Sequence, residues 1–207
     1  MPYAYRYEAV RLKRLVCRNE PFWPYLSEAL TLKLYNGVMY RGFNASRVID
    51  EIALLEGATS SRQTNTKPAT QFKGPHLGRF WHKHWTDSAF INKNLDIHWF
   101  GPHAEKKELL KREIEKACKT LGKDSVDDLV EDEIQGLASL VSHSVVHNGY
   151  ASRRARNALT GEWLIYYIHN GQNYYLDIAV HCSRQDEPAL LERLRASCEW
   201  EFPFAFS

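Results

Sequence analysis

The spacing of apolar residues changes period along the chain, and the change divides it into elements. In residues 160–181, TGEWLIYYIHNGQNYYLDIAVH, two runs rich in aromatic and β-branched residues flank Asn170-Gly171. That dipeptide tolerates the two positive φ angles of a type I′ turn, so the stretch predicts a β-hairpin. With 170 and 171 as the loop, His169 faces Gln172, Tyr167 faces Tyr174, Ile165 faces Leu176 and Trp163 faces Ile178. This set forms a largely apolar face. The other face carries Thr160, Glu162, Leu164, Tyr166 and Ile168, opposite His181, Ala179, Asp177, Tyr175 and Asn173. The first face predicts core, the second either a polar exterior or a working surface.

Elsewhere the period is mostly helical. Leu26, Leu30 and Leu34 predict a helix ended by Asn36-Gly37, with a short strand over 38–43 after it. Asn44 or Ser46 caps a helix through Val48, Ile52 and Leu55 that Gly57 stops. Residues 104–121 are amphipathic, with Leu110, Ile114, Cys118 and Leu121 on one side. A second helix is expected over 126–147, closed by Asn148-Gly149, so the pair predicts a helical hairpin. Asp186, with Pro188 in the first turn, predicts a helix burying Leu190, Leu191 and Leu194. Partial alternation predicts an opening strand over 5–12, with a short helix as the alternative, and the aromatic tail 199–206 predicts a closing strand. Residues 58–73 are polar and predict a mobile loop, of a length that often carries function.

The expected fold is a single α+β domain over 1–207. It has an antiparallel sheet, a C-terminal β-hairpin–helix–strand unit and a helical hairpin insertion at 104–147. At 207 residues and 44% hydrophobic, the chain is long enough for one core. A net charge of +2 imposes no global field toward nucleic acid, so any such contact must come from local clusters. The sequence has no apolar run of membrane-spanning length and no signal-peptide core, which predicts no membrane partner. The four cysteines are scattered without a CxxC pair, which predicts reduced thiols in a cytoplasmic protein.

Chemistry concentrates in residues 74–103, which hold His76, His82, His84, His98 and His103 beside Arg79, Trp81, Trp85 and Trp99. Aromatic and cationic side chains so mixed suit stacking on bases and pairing with phosphates; packed tryptophans under a loop are the alternative. Two histidine pairs, His82/His84 in HxH and His143/His147 in HxxxH, each share a face and together could frame zinc. HSVVH lacks the glutamate of HExxH, however, and no cofactor is expected. Metal-free RNA cleavage needs a base, an acid and a cation for the phosphate. Histidine suits the proton roles. The candidate catalytic residues are His82, His84, His181, Tyr166, Tyr175 and Glu162. Arg79, Trp81, Arg153, Arg154 and Arg156 are candidates for holding RNA.

A hairpin, helix and last strand bearing His, Arg and Tyr resembles the small barnase- and RelE-like toxin nucleases. The run FWHKHW with TGEWLIYYIHNGQNYYLDIAVH is similar to uncharacterised prophage or defence-island proteins. The resemblance covers 74–206 and implies a toxin- or defence-type endoribonuclease, with a cognate inhibitor protein as a further partner. Two alternatives stand beside it. A non-catalytic module would use exposed Tyr, Trp and Arg to bind nucleic acid or protein. An ADP-ribosyltransferase is suggested by Tyr40-Arg41-Gly42, Ser60-Ser61 and Glu199-x-Glu201, which resemble one transferase class's motifs.

Overall fold

A computed structural model describes residues 3–40, 42–59, 62–100, 105–159 and 161–207. Arg41, Ser60, Ser61, His103 and Thr160, each named above, lie outside the described residues. The fold is α+β, with seven α-helices and one four-stranded antiparallel sheet among the described residues. Two compact units are formed, Met1–Asp87 with Thr160–Ser207, and Ser88–Leu159.

The first unit holds the sheet. Its strands β1 (Thr70–Gln71), β2 (Trp81–Trp85), β3 (Glu162–His169) and β4 (Gln172–Ala179) lie in that order. The β3–β4 turn takes positive φ at both central residues, 51° at Asn170 and 79° at Gly171, as the dipeptide predicts. The expected register holds from His169/Gln172 to Tyr166/Tyr175, then slips at a β-bulge between Ile165 and Tyr166. Beyond the bulge Ile165 faces Asp177 and Trp163 faces Ala179, where simple alternation predicts Leu176 and Ile178. An extra residue on one strand shifts all later pairs by one.

Helices cover the sheet on both sides. Against one face, Ile165, Leu176 and Ala179 pack with Phe72, Leu77 and Phe80. Leu190, Leu194, Phe202 and Phe206 close the same core. Those leucines come from α7 (Glu187–Cys198). Residues 199–206 turn and form a short 3-10 helix, Pro203–Ala205, where alternation predicts a strand. Pro203 cannot donate to a ladder, and the phenylalanines instead plug the core.

Toward β4 the other side is met by α2 (Glu28–Tyr40). Ser27 stitches the two: its N–H donates to Tyr175 O at 2.8 Å, its hydroxyl to Leu176 O at 2.5 Å, and the same hydroxyl accepts from Leu30 N at 2.9 Å. Helix α2 runs straight through Asn36-Gly37 and occupies most of the stretch expected as a strand. A Cβ on Gly37 would lie 2.8 Å from the Phe43 ring, so this glycine permits close packing and ends nothing.

The opening segment is also helical, α1 (Tyr3–Val16), in place of the expected strand. Its inward residues Ala9, Leu12, Lys13 and Val16, with Cys17 just beyond, follow helical spacing, which outweighs the local Tyr-Ala-Tyr alternation. Helix α3 (Ala45–Leu55) starts as predicted, with Asn44 accepting from Ser46 N at 3.2 Å, and stops at Gly57 with φ 62°.

The second unit contains α4 (Ile91–Phe100), α5 (Glu105–Thr120) and α6 (Glu131–Ala155). Helices α5 and α6 form the expected hairpin. Helix α6 does not close at Asn148-Gly149 but continues for six more residues, to Ala155. The reason is steric: a Cβ at Gly149 would meet Trp99 Nε1 at 2.4 Å, in the ring that donates to Val145 O at 2.9 Å. Gly149→Ala should therefore destabilise the protein by about 1–3 kcal/mol through overpacking, although alanine favours a helix. Urea denaturation followed by tryptophan fluorescence measures this, and equal or raised stability would contradict the packing account.

Candidate functional site

Strand β2 alternates two chemistries. Lys83 and Trp85 point to the side of α3, whereas His82 and His84 point to the opposite face. Lys83 and Glu51 of α3, 4% and 1% exposed, form an ion pair at 3.2 Å. Thr64 donates to Glu51 at 2.9 Å, and Thr66 donates to it at 3.0 Å. Lys83 also donates to Thr66 Oγ1 and, at 2.7 Å, to the carbonyl of Lys67. The polar loop expected to be mobile is thus fastened to the buried pair through 64–67, and its far end forms β1.

On the opposite face three predicted histidines converge. His84 Nδ1 lies 3.3 Å from His181 Nε2, and the two rings are 5.0 Å apart. His181 is exposed and stacks on Trp163 at 4.5 Å with planes 21° apart. His82 sits 5.6 Å from His84, against Phe72 at 4.3 Å and Trp163 at 5.4 Å. Its Nε2 meets Thr70 Oγ1 at 3.2 Å, across the β1–β2 pair, while its Nδ1 is buried without a hydrogen-bond partner. Burial first, then His181 and Lys67, lowers His82 to about 4 and His84 to about 3. Both are neutral near pH 7.

This arrangement has a specific proton logic. A neutral His84 can accept at Nδ1 from His181 Nε2–H when the His181 tautomer carries its proton there. In that tautomer the contact is kept whether His181 is neutral or protonated, so it can hold the ring's orientation in either state. Trp163 fixes the plane of that ring from below. Lys67 supplies a positive field on the same side.

The other candidates lie elsewhere. Tyr166 and Tyr175 are on the far face, because the bulge separates them from the side where His181 meets Trp163. The Tyr175 hydroxyl donates to Glu56 at 2.5 Å, and burial with that carboxylate raises its pKa. Burial raises Tyr166 to about 12, and its ring stacks with Trp81 at 6.4 Å. Glu162 pairs with Trp85 in the ladder, also away from the histidines. Trp85 and Trp99 are buried core residues, whereas Trp81 is half-buried.

Arg79 is exposed, lies 6.0 Å from the Tyr167 ring and donates to the Ser207 carbonyl. Arg153, Arg154 and Arg156 belong to the helical unit. The Arg153 guanidinium is buried, donating to Asn94 at 3.1 Å and to Ala158 O. His143 and His147 stack at 4.2 Å on α6, also in the helical unit. Among the described residues no group of three or more His, Cys, Asp or Glu has the geometry to hold a metal. Glu201 is engaged by Lys13 and by Glu28 N, the latter at 2.8 Å.

Sequence reasoning did not single out Lys67, Thr70 or Phe72, and it assigned Trp163 to the core. The available signal was the length of the polar loop feeding the HxH strand. Comparisons of the chain with protein-family models, with curated proteins and with solved structures find no match. Among the described residues no helix is long and apolar enough to cross a membrane.

Neutral, buried histidines make stability depend on acid. In the unfolded chain both titrate near 6.5, and in the folded chain near 4 and 3. The unfolded state therefore binds more protons below about pH 6.5, so the pair's contribution is full above that pH. It is lost as pH falls through the two folded values. Urea midpoints of the wild type should fall over that window, and the His82→Gln/His84→Gln protein should show a flatter profile. Identical profiles would remove the buried neutral histidines from the account.

Proposed function

We propose that the protein is a metal-independent endoribonuclease of the toxin or defence type, with His181 as the proton carrier. The observation that supports this best is the His84–His181 contact over Trp163: a buried neutral imidazole orienting an exposed one. In this reading His181 removes the proton of an RNA 2′-hydroxyl. The 2′-oxygen bonds to phosphorus, the bond from phosphorus to the 5′-oxygen breaks, and the imidazolium returns its proton to that leaving oxygen. The products are a 2′,3′-cyclic phosphate and a 5′-hydroxyl. Lys67 stabilises the charge that develops on the phosphate oxygens. His84 is a positioning residue, and Trp163 offers an apolar wall near the reacting ring.

The assignment of roles differs from that expected for two equal histidines. A group with a folded pKa near 3 is a poor general base at neutral pH, because its proton affinity is too low. His84 therefore serves by holding its neighbour, and the exposed His181 does the transfer.

Incubation with a defined RNA in excess EDTA tests the reading. Cleavage should persist and yield cyclic-phosphate ends. His181→Ala should lower the single-turnover rate by about 100-fold or more, the usual contribution of a positioned acid–base group. His84→Asn should lower the rate less and shift the pH profile, and Lys67→Ala should slow cleavage. RNA that stays intact with folded wild-type protein would overturn the nuclease reading. RNA bound but uncleaved would favour the binding module.

A further inference from the structure

The turn that leads from β1 into the histidine strand opens onto a second feature. Gly74, Pro75, His76, Gly78 and Arg79 form one wall of a groove of about 420 Å³, and Leu191, Arg195 and Phe206 form the other. Among the described residues the lining itself includes no acidic side chain, with Glu187 lying behind Gly74. Arg195 presents a buried Nε without a hydrogen-bond partner, and the carboxylates of Glu192 and Glu199 stand 3.6 Å from its guanidinium. Those ion pairs are exposed and long, so they neutralise the guanidinium only weakly. Arg79 is held at the rim by the Ser207 carbonyl and the Tyr167 ring, which limits its rotamers before any ligand arrives.

The backbone of the turn is kept bare. Gly74 has φ 122°, a conformation other residues rarely adopt. A Cβ on Gly78 would lie 2.4 Å from the Gly74 carbonyl oxygen. Glycine at 78 therefore lets the turn close on the Gly74 carbonyl, and a Cβ on Gly74 would lie 3.4 Å from Glu187 Oε2. Two guanidiniums, an imidazole and apolar side walls from Leu191 and Phe206 match a phosphate flanked by a sugar or base. The groove lies upstream of the histidines on the same stretch of chain: Arg79 precedes His82 by three residues and His84 by five, at most about 18 Å of extended backbone.

We infer that this groove, through Arg79, Arg195 and His76, binds a backbone phosphate of single-stranded RNA outside the bond to be cleaved. The inference rests on the RNA reading above and adds a binding subsite to it. Such a subsite fixes where the strand lies relative to His181, so it contributes to affinity and to choice of the cleaved position.

The test uses a short fluorescein-labelled 2′-O-methyl RNA, which cannot be cleaved, and fluorescence anisotropy across a salt series. Arg79→Gln/Arg195→Gln should weaken binding at least tenfold at low salt. It should also flatten log K against log salt by about 0.7, the loss of one neutralised phosphate on a single strand. Arg79→Gln alone, at an exposed position, should give about half that change and carries the test if the double variant misfolds. Equal binding by wild type and the arginine variants would overturn the groove and leave the acid–base reading standing. Groove-dependent binding without cleavage of ordinary RNA would overturn the acid–base reading alone. Loss of inorganic pyrophosphate binding in the variants, with RNA binding unchanged, would assign the groove to a small anion and overturn the inference.

Discussion

The buried pair Glu51–Lys83 is the constraint on which the arrangement around the sheet depends. Neither charge reaches water, so each needs the other and needs its remaining hydrogen-bonding capacity filled. Thr64, Thr66 and the Lys67 carbonyl do that filling. Burial still raises the carboxyl of Glu51 above its ordinary value, against the attraction of Lys83 and the hydrogen bonds. Removing either partner would leave a lone buried charge, at a cost of about 3–5 kcal/mol. The pair therefore joins three segments at once: helix α3, the polar loop and strand β2.

That junction has a consequence on the opposite face. A strand that must send Lys83 toward α3 must send His82 and His84 the other way. The loop that satisfies Lys83 brings Lys67 with it and leads into β1, where Thr70 meets His82. The position of the histidine cluster thus follows from a buried ion pair that takes no part in its chemistry. The bulge in β3–β4 supplies the remaining step. It shifts Asp177 opposite Ile165 and Ala179 opposite Trp163, so the chain leaving β4 brings His181 onto the Trp163 side. Without the shift, alternation would place His181 beside Tyr166 and Tyr175.

Much of the fold was legible because it rests on short-range signals. Asn170-Gly171 specifies its turn, Asn44 its cap and Gly57 its stop, and the 3.6 period marks α5 and α7. Two of the misreadings share one physical source. Gly37 and Gly149 look like helix terminators, yet each sits in a helix where another ring, Phe43 or Trp99, occupies the place of a side chain. Local sequence carries the conformational freedom of glycine but not the identity of the group that packs against it. The histidines were legible as residues, and their convergence was not. A bulge and a long-range ion pair decide it, and both are tertiary events. Arg153 is the reverse case: a basic cluster in sequence that folding turns into an internal bond to Asn94.

The depressed titration of His82 and His84 also constrains what this face can do. A cluster of three imidazoles beside Lys67 cannot hold several protons, since each added charge faces the others at short range. Burial decides which sites stay neutral: His82 and His84 are sequestered, while His181 is in contact with water. An anionic phosphate placed between His181 and Lys67 would favour a protonated imidazole, so anion binding and proton uptake would be coupled in sign. The same coupling would operate for a non-reacting anion, which is why the pattern of cleavage products, and not binding, separates catalysis from recognition at this face.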